Sequence, residues 1–252
     1  MTATGERTLK VLEYLAQQGA SSLRKLAADL ELNKATAHRF VTALVKTGYA
    51  HQDPTTRDYA PTTKLLELGN SVLDKIDVRR QVRPHLENLA HTTGETAHLA
   101  VLEGLEIVYI DKVDGNQAVT MKSRVGARAS CHSTALGKTL LAHQPRSEWQ
   151  RYVSEVGLPQ RTPRTVTDPA RFEKMLEAVR EAGYALDDIE NEEGIRCVAC
   201  PVFDHTGEVA AAMSISGWTV SMTPERAHGW IPSLLETAHD ASLGLGYKRT
   251  AP

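Results

Sequence analysis

The sequence has few aromatic residues and no long apolar run. Phe, Trp and Tyr together make up 5% of its 252 residues. No stretch approaches the roughly 20 apolar residues that a membrane span requires, and residues 1–7 lack the apolar centre of a signal peptide. We therefore expect a cytoplasmic protein that makes no use of a membrane.

Cysteine is equally scarce, with Cys131, Cys197 and Cys200 as the only examples. This odd number gives no disulfide framework and fits a reducing compartment. A metal site that combines Cys131, His132 and Cys197 is one open alternative. Cys197 and Cys200 lie three positions apart on a predicted strand, so their side chains point to opposite faces. That spacing disfavours both a dithiol pair and a Cys-x-x-Cys metal site.

The charges nearly balance, with a formal net charge of −2, but their distribution is uneven. Residues 1–60 contain eight Lys and Arg against six Asp and Glu, and the remainder contains 21 against 25. Residues 1–60 are therefore better suited than the remainder to bind the phosphates of a nucleic acid. An excess of +2 is weak evidence by itself, because a solvated surface shows the same imbalance as often.

The stretch from residue 22 to residue 59 has the pattern of a winged helix-turn-helix. Apolar stripes predict three helices, with Ser21 or Ser22 as the N-cap of the second and Asn33 as the N-cap of the third. The third helix is apolar on one face. Its opposite face carries Thr36, Arg39, Thr42, Ala43 and Lys46. Such a helix is suited to the major groove.

A strand, a turn and a second strand follow Gly48, which ends the third helix. Residues 49–52 and 57–60 are the two predicted strands, and a turn that contains Pro54 joins them. This ribbon is the predicted wing.

Seven side chains of this region are predicted to contact DNA: Arg24, Lys25, Lys34, Thr36, His38, Arg39 and Arg57. Side chains near the start of the third helix reach base edges, whereas the basic residues of the second helix and the wing reach the backbone. The alternative interpretation is that some of these residues are solvated surface charges that do not contact DNA. For Arg39 the alternative is an ion pair with Asp29 or Glu31.

Residues 62–94 predict two further amphipathic helices, with Pro84 as a kink or boundary inside the second. Helices that join two domains usually bury their apolar stripe. In a DNA-binding protein the natural partner is a second copy of the chain, because a two-fold dimer matches two half-sites about one helical turn apart. We therefore expect a homodimer.

From residue 95 the pattern changes to short strands mixed with helices. Strands are predicted at 97–103, 107–113, 118–123, 184–187, 195–203 and 209–217, and helices at about 133–143, 168–182 and 224–245. Such a mixture indicates an α+β sheet domain. The predicted organisation is a winged helix-turn-helix at 1–61, linker helices at 62–94 and a sheet domain with flanking helices at 95–252.

The last predicted hairpin has one face of small residues. If residues 204–207 form a two-residue turn, Cys197 pairs with Ser214, and Ser216 shares their face because strand side chains alternate. The same face carries Ala199, Ala210 and Ala212. Small residues on this face either leave room for a ligand or allow a helix to pack closely against it, and the sequence favours neither. A β-bulge at the turn would shift the pairing by one residue.

Residues 130–138 predict the start of a helix capped by Ser133 or Thr134. The free backbone N–H groups at such a start favour an anion. Gly137 is intrinsically unfavourable inside a helix and indicates close approach of another backbone. Together with the hydroxyl-lined hairpin face, this helix start predicts a carboxylate pocket. Ser133 and His132 do not form a catalytic triad, because adjacent residues seldom align as nucleophile and base and no orienting acid is evident.

Several motifs together resemble the IclR family of bacterial transcriptional regulators along the whole chain. They are residues 34–39, 126–128 with His132, 134–142, 183–185 with Asp187, and 193–204. The resemblance implies a DNA-binding winged helix, a dimerising linker helix and a GAF-like domain that binds a small organic effector and mediates tetramer assembly. Two departures bear on the shape of the pocket: Ser130-Cys131 replaces the usual Pro-Leu, and Cys200 replaces a small apolar residue.

Carried over residue by residue, the family's effector site falls on Ala135, Leu136, Asp187, Cys197, Ser214 and Ser216. The last three coincide with the small-residue face of the hairpin. The resemblance therefore implies a ligand-responsive repressor or activator whose partners are double-stranded operator DNA, a small organic acid and further copies of the chain, as a homodimer and a dimer of dimers. We expect no cofactor, no metal and no enzymatic activity. The alternative is a GAF-fold thiol redox enzyme or sensor that uses Cys131, Cys197 and Cys200.

Overall fold

A computed structural model describes residues 3–73, 77–116 and 121–248. The chain divides into two compact units, Met1–Lys75 and Ile76–Pro252. Each unit has its own apolar core.

The first unit is a winged helix-turn-helix, as predicted. Its elements are α1 (Ala3–Gln18), α2 (Leu23–Asp29), α3 (Lys34–Lys46), β1 (Ala50–Gln52), β2 (Tyr59–Pro61) and α4 (Lys64–Leu73). Ser22 Oγ accepts from the Lys25 N–H at 3.2 Å, and Asn33 Oδ1 accepts from the Thr36 N–H at 2.8 Å. These side chains satisfy N–H groups that have no partner inside the helix and so fix the starts of α2 and α3.

One apolar cluster holds the first unit together. Its most buried members are Val11, Leu15, Leu26, Ala37, Phe40 and Val41. The Tyr14 hydroxyl also donates to Asp29 Oδ2 at 2.6 Å, which ties α1 to the end of α2. Because the apolar face of α3 is buried in this cluster, its polar face points outward.

The second unit begins with α5 (Asp77–Thr93) and contains a six-stranded antiparallel sheet. The strands are β3 (Thr96–Glu103), β4 (Glu106–Val113), β5 (Arg128–Ser130), β6 (Ala185–Asp188), β7 (Ile195–Phe203) and β8 (Val209–Trp218), in the order β5-β4-β3-β8-β7-β6. The remaining helices are α6 (Ala135–Ala142), α7 (Arg146–Glu155), α8 (Pro169–Ala182) and α9 (Pro224–Gly244). Across the described ranges, no helix has both the length and the apolar character needed to cross a membrane.

Helices cover both faces of the sheet. On one face, Leu86 of α5 and Leu234 of α9 belong to a cluster with Cys200. On the other face, Leu140 of α6 belongs to a second cluster, against which Cys197 packs. The strand alternation predicted for the two thiols is therefore confirmed, and the fold is α+β as expected.

Several local features differ from the prediction, among them β5, where no strand is predicted. α5 continues through Pro84, which is therefore not a helix boundary. The strand predicted at 118–123 lies outside the described residues at 118–120, and 121–123 form no strand. No helix is predicted at α7, because its ten residues are mostly polar. Only Trp149 and Tyr152 of this helix are buried.

The predicted pairing of Cys197 with Ser214 is wrong, because Cys197 pairs with Ser216 and Ala199 pairs with Ser214. Two local features each shift the register by one residue. The Asp204 N–H donates to Glu208 O at 2.9 Å, so the loop is longer than the assumed two-residue turn. The ladder then shifts again between Val202 and Phe203, opposite Ala210. Because the total shift is even, Cys197, Ser214 and Ser216 keep the common face that alternation requires.

Candidate functional site

A cavity of the second unit lies between the start of α6 and the sheet. It encloses about 510 Å³ of space free of protein atoms, including its open mouth. All six positions implied by the resemblance line it: Ala135, Leu136, Asp187, Cys197, Ser214 and Ser216. Thr134, predicted as a cap of the helix start at this pocket, lines it too. Sequence reasoning did not assign the other lining residues to a site: His98, Tyr109, Met121, Lys122, Ser123, Asn191, Glu192 and Ile195.

Strand pairing arranges the polar residues of the cavity in rows across the sheet. Asp187 pairs with Cys197, which in turn pairs with Ser216. In the next row, Ser214 pairs with His98. Since neighbouring strands are about 4.8 Å apart, roughly 10 Å separates the strand of Asp187 from that of Ser216. The sheet thus offers a carboxylate on one side of the cavity and hydroxyl groups on the other.

The start of α6 forms the opposite wall. Thr134 Oγ1 accepts from the Gly137 N–H at 3.0 Å, which caps the helix. The N–H groups of Ala135 and Leu136 belong to the first turn and have no partner inside the helix. The predicted close approach at Gly137 is confirmed, because a Cβ built there would lie 2.7 Å from Ser130 O. The positive end of the helix dipole therefore lies at the cavity.

Asp187 is held by backbone groups and surrounded by charge. It is 2% exposed, and its Oδ1 accepts from the N–H groups of Glu190 at 2.7 Å and Asn191 at 3.2 Å. Burial raises the Asp187 pKa to about 7, although the nearby Lys138, which pairs with Glu190, opposes this shift. Ser133 donates to Asn191 Oδ1 at 2.9 Å, so the segment that leads into α6 is joined to the loop after Asp187.

His98 links two serines of the cavity. Its Nε2 lies 2.7 Å from Ser123 Oγ and its Nδ1 lies 3.4 Å from Ser216 Oγ. Burial lowers the His98 pKa to about 3, so the ring is neutral and donates from one nitrogen while it accepts at the other. Ser214 Oγ, by contrast, is buried without a hydrogen-bond partner in the described part of the chain. A buried hydroxyl of this kind is suited to a bound ligand.

The thiols lack the lowered pKa that marks a redox-active cysteine. Burial raises the pKa of Cys131 to about 12 and raises the pKa values of Cys197 and Cys200 as well. Thiolate formation, on which redox reactivity depends, is therefore disfavoured. Cys200 Sγ donates to Leu234 O at 3.5 Å, on the far side of the sheet from Cys197. The redox alternative is not supported.

His132 and Ser133 also have other partners. His132 Nδ1 lies 2.9 Å from the Tyr152 hydroxyl, and its Nε2 lies 2.9 Å from Pro159 O. The ring therefore does not activate Ser133 as a base would. Within the residues that the structure describes, no group of three or more His, Cys, Asp or Glu side chains is placed to hold a metal ion, which excludes the combination of Cys131, His132 and Cys197 there.

The residues predicted to contact DNA lie on the surface of the first unit. Arg24, Lys25, Lys34, His38, Arg39 and Arg57 are exposed, and Thr36 is half-buried. The Arg39 guanidinium lies 5.2 Å from the centre of the Phe40 ring. In residues 3–73 it forms no ion pair with Asp29 or Glu31, so its charge faces solvent.

Two further basic residues lie beside this face. Arg7 and Lys10 of α1 line a surface groove together with Asn33 and Thr36. The sequence pattern did not indicate them, because α1 lies outside the helix-turn-helix motif. Only the packing of α1 against α3 brings their charges to the start of α3.

Comparison with known proteins gives a consistent result for both units. The family profile described as IclR helix-turn-helix domain matches residues 6–54, and the profile described as bacterial transcriptional regulator IclR C-terminal matches residues 70–243. The transcriptional regulator KdgR of Escherichia coli is 36% identical to this chain, over 94% of this chain and 90% of KdgR. The regulator XynR of the same organism is 35% identical, over 96% of each chain.

Solved structures agree with these sequence relatives. The crystal structure of Thermotoga maritima IclR is 36% identical and superposes with a TM-score of 0.83, over 97% of this chain and 99% of that one. An IclR homologue from Microbacterium hydrocarbonoxydans, solved in complex with 4-hydroxybenzoate, is 26% identical with a TM-score of 0.83. That match covers 96% of this chain and 99% of the homologue.

Proposed function

Because this chain belongs to the IclR family of DNA-binding, effector-responsive transcriptional regulators, we propose that a small organic acid in the α6 cavity controls its binding to operator DNA. The main support for this is the position of the residues assigned to the effector site. Residues from α6, β6, β7 and β8 that the sequence assigns to an effector site line a single cavity. This cavity combines a helix N-terminus with the unpaired hydroxyl of Ser214.

The acid's carboxylate binds at the start of α6 in this proposal. The N–H groups of Ala135 and Leu136 donate to it, and Ser214 Oγ supplies a further hydrogen bond. Asp187, Cys197 and Ser216 contact the rest of the ligand from the sheet. The homologue solved with 4-hydroxybenzoate supports the choice of a carboxylate ligand for this fold.

The exposed face of α3 binds the operator. Thr36 and His38 lie near the helix start, where side chains of a recognition helix reach base edges. Arg39 and Lys34 neutralise phosphates or read guanine. The remaining contacts go to the DNA backbone, from Arg24 and Lys25 at α2 and from Arg57 in the wing.

Two copies of the chain act together. α4 exposes Leu66 to 67% and Leu68 to 46%, and α1 exposes Leu9 to 55%. Exposed apolar residues of this kind favour burial against another chain. A two-fold homodimer presents two α3 helices to two half-sites, and a dimer of dimers follows through the second unit.

Binding of the ligand and binding of the operator are linked through the conformation of the protein. An acid that binds two arrangements of the second unit unequally shifts their populations. The helices within residues 62–94 convert that shift into a changed spacing of the paired winged helices. A coupling of about 1–3 kcal/mol changes operator affinity roughly 5- to 150-fold.

Two variants separate the DNA-binding function from the ligand-binding function. We expect Arg39→Ala to weaken binding to a duplex selected by the protein from a random library, with or without ligand. Ser214→Leu should keep that affinity and lose the response to any acid that shifts the melting temperature of the wild-type protein. Arg151→Ala, which removes an exposed arginine of α7, is the matched control. Unaltered DNA affinity in Arg39→Ala contradicts the assignment of α3.

A further inference from the structure

α4 follows the wing, and the apolar core of the first unit does not fix its direction. None of the described residues of α4 belongs to the apolar cluster of this unit. Leu66 and Leu68, near the middle of the helix, are exposed. The direction of α4 relative to the rest of the unit therefore depends on the polar contacts of residues 62–64.

Thr62 attaches the start of α4 to the residues that follow α3. Its hydroxyl donates to Gly48 O at 2.5 Å, and its N–H donates to Tyr49 O at 3.0 Å. Both hydrogen bonds come from one residue, so they fix a point rather than a direction. A helix that is held at one point can still swing about it.

Lys64 adds contacts two residues further along the chain. Its Nζ donates to Thr47 O at 2.7 Å and lies 4.5 Å from the centre of the Tyr49 ring. Thr47 is the C-cap of α3, so the ammonium group meets a carbonyl at the negative end of the helix dipole. The face of the aromatic ring attracts the same charge. Together with Thr62, Lys64 therefore fixes the angle between α3 and α4.

We propose that Lys64 is a positioning residue that holds α3 at a fixed angle to α4 and thereby sets the half-site spacing that the protein accepts. This inference rests on the proposed function, in which Leu66 and Leu68 of α4 are buried between two copies of the chain. The dimer then holds α4, and Lys64 holds α3 to α4. One base pair inserted between the half-sites separates them by about 3.4 Å more. The two α3 helices follow this change by turning relative to α4, which breaks the contacts of Lys64.

Three duplexes test the proposal on the full-length protein. The first has the half-site spacing that the protein selects from a random library, the second has one additional base pair between the half-sites, and the third has one half-site scrambled. Fluorescence anisotropy measures the affinity for each duplex. We expect the wild-type protein to bind the second roughly tenfold more weakly than the first, because a hydrogen bond from a charged group corresponds to about that factor.

Four variants locate the effect. Lys64→Met should bind the first two duplexes equally and bind the third as the wild-type protein does. Lys64→Arg should keep the preference for the first, because a guanidinium also donates hydrogen bonds and stacks on aromatic rings. Tyr49→Leu removes the ring alone and should reduce the preference in part. Lys10→Met is the matched control, because it removes an exposed lysine of the same unit that pairs with Glu6, and it should leave the preference unchanged.

The possible results separate the inference from the function on which it rests. If a folded Lys64→Met protein keeps the full preference, the inference is wrong and the proposed function stands. If Lys64→Met loses affinity for the third duplex and keeps the preference, Lys64 contacts DNA directly, which also overturns the inference. If Lys64→Met fails to fold, an undiminished preference in Tyr49→Leu overturns it instead. Equal binding of the first two duplexes by the wild-type protein contradicts the two-fold arrangement of the proposed function as well.

Discussion

Arg83 donates from Nη1 to Asp111 Oδ1 at 2.7 Å and so joins α5 to β4. Asp111 is 1% exposed, and Arg79 Nε lies 3.5 Å from its other oxygen. A β-bulge makes the contact possible, because Leu99 pairs with Asp111 whereas the next residue, Ala100, pairs with Tyr109. Asp111 therefore points at α5, while Tyr109 on the same strand lines the cavity.

Removal of the Asp111 carboxylate should destabilise the second unit strongly. Breaking a buried ion pair costs about 3–5 kcal/mol, and we expect about 2–4 kcal/mol for Asp111→Ala because Arg83 is 40% exposed on its side chain. Trp149, Trp218 and Trp230 all lie in this unit, so tryptophan fluorescence during urea unfolding reports its stability. Glu155→Ala breaks the exposed pair with Arg151 and should change stability by less than about 1 kcal/mol. Equal effects in the two variants contradict a structural role for Asp111.

Two glycines in helices should respond in opposite ways to alanine. Gly137 has no room for a Cβ beside Ser130 O, whereas Gly229, exposed within α9, has no atom within 4 Å of that position. Gly137→Ala should therefore cost about 1–3 kcal/mol through overpacking. Gly229→Ala should stabilise by about 0.5–1 kcal/mol through helix propensity. The same fluorescence-detected unfolding measures both, and stabilisation by Gly137→Ala would show that α6 does not approach residue 130 closely.

Asp187 should make the protein less stable as pH rises. Its pKa rises from an ordinary 3.8 to about 7 on folding, so the folded state holds the proton more tightly. The contribution of Asp187 is most favourable below the lower pKa and falls as pH rises to the upper one. The side chain of Asp187→Asn does not titrate. As pH rises across that window, the unfolding free energy of this variant should therefore increase relative to that of the wild-type protein by a few kcal/mol, at about 1.4 kcal/mol per pKa unit.

Unfolding free energies of both proteins, measured from acid to neutral pH, provide the check. The difference between the two proteins isolates Asp187, because His98 titrates alike in both. A difference that does not vary with pH means that Asp187 keeps its ordinary pKa in the folded protein.

Salt dependence should separate phosphate contacts from base contacts. We expect Lys25→Ala to weaken every duplex alike and to reduce the slope of log affinity against log salt by about 0.9, the value for one phosphate contact. Thr36→Val should keep the slope and change the base preference, because Thr36 lies where side chains reach base edges. Fluorescence anisotropy at several salt concentrations measures both. A slope that is unchanged in Lys25→Ala contradicts a phosphate contact by α2.

The sequence predicts the elements of this fold well where the signal is local. Asn33 and Thr134 are N-caps within their own helices, and apolar periods of 3.6 and 2 locate most helices and strands. No helix is predicted at α7, although Trp149, Tyr152 and Val153 have helical spacing, because polar residues dominate its ten positions. The strand register was also missed, because it depends on a longer loop and a bulge beside Val202 rather than on alternation.

The cavity was predicted on one side only. Cys197, Ser214 and Ser216 follow from strand alternation and from the family resemblance, whereas His98 and Tyr109 come from β3 and β4. β3 lies next to β8 across more than 100 residues of sequence, as the pairing of His98 with Ser214 shows. Local patterns carry no information about such a pairing, so one wall of the cavity required the structure.

In the proposed mechanism, the organic acid and the operator DNA act on the same conformational equilibrium of the protein. Linkage requires that if the acid changes operator affinity, the operator changes acid affinity by the same factor. Calorimetry of the acid that stabilises the protein most, with and without a saturating duplex selected by the protein, measures this directly. We predict a change of roughly 5- to 150-fold, equal to the effect of the acid on operator affinity and absent in Ser214→Leu. An acid affinity that is the same with and without the duplex contradicts the account.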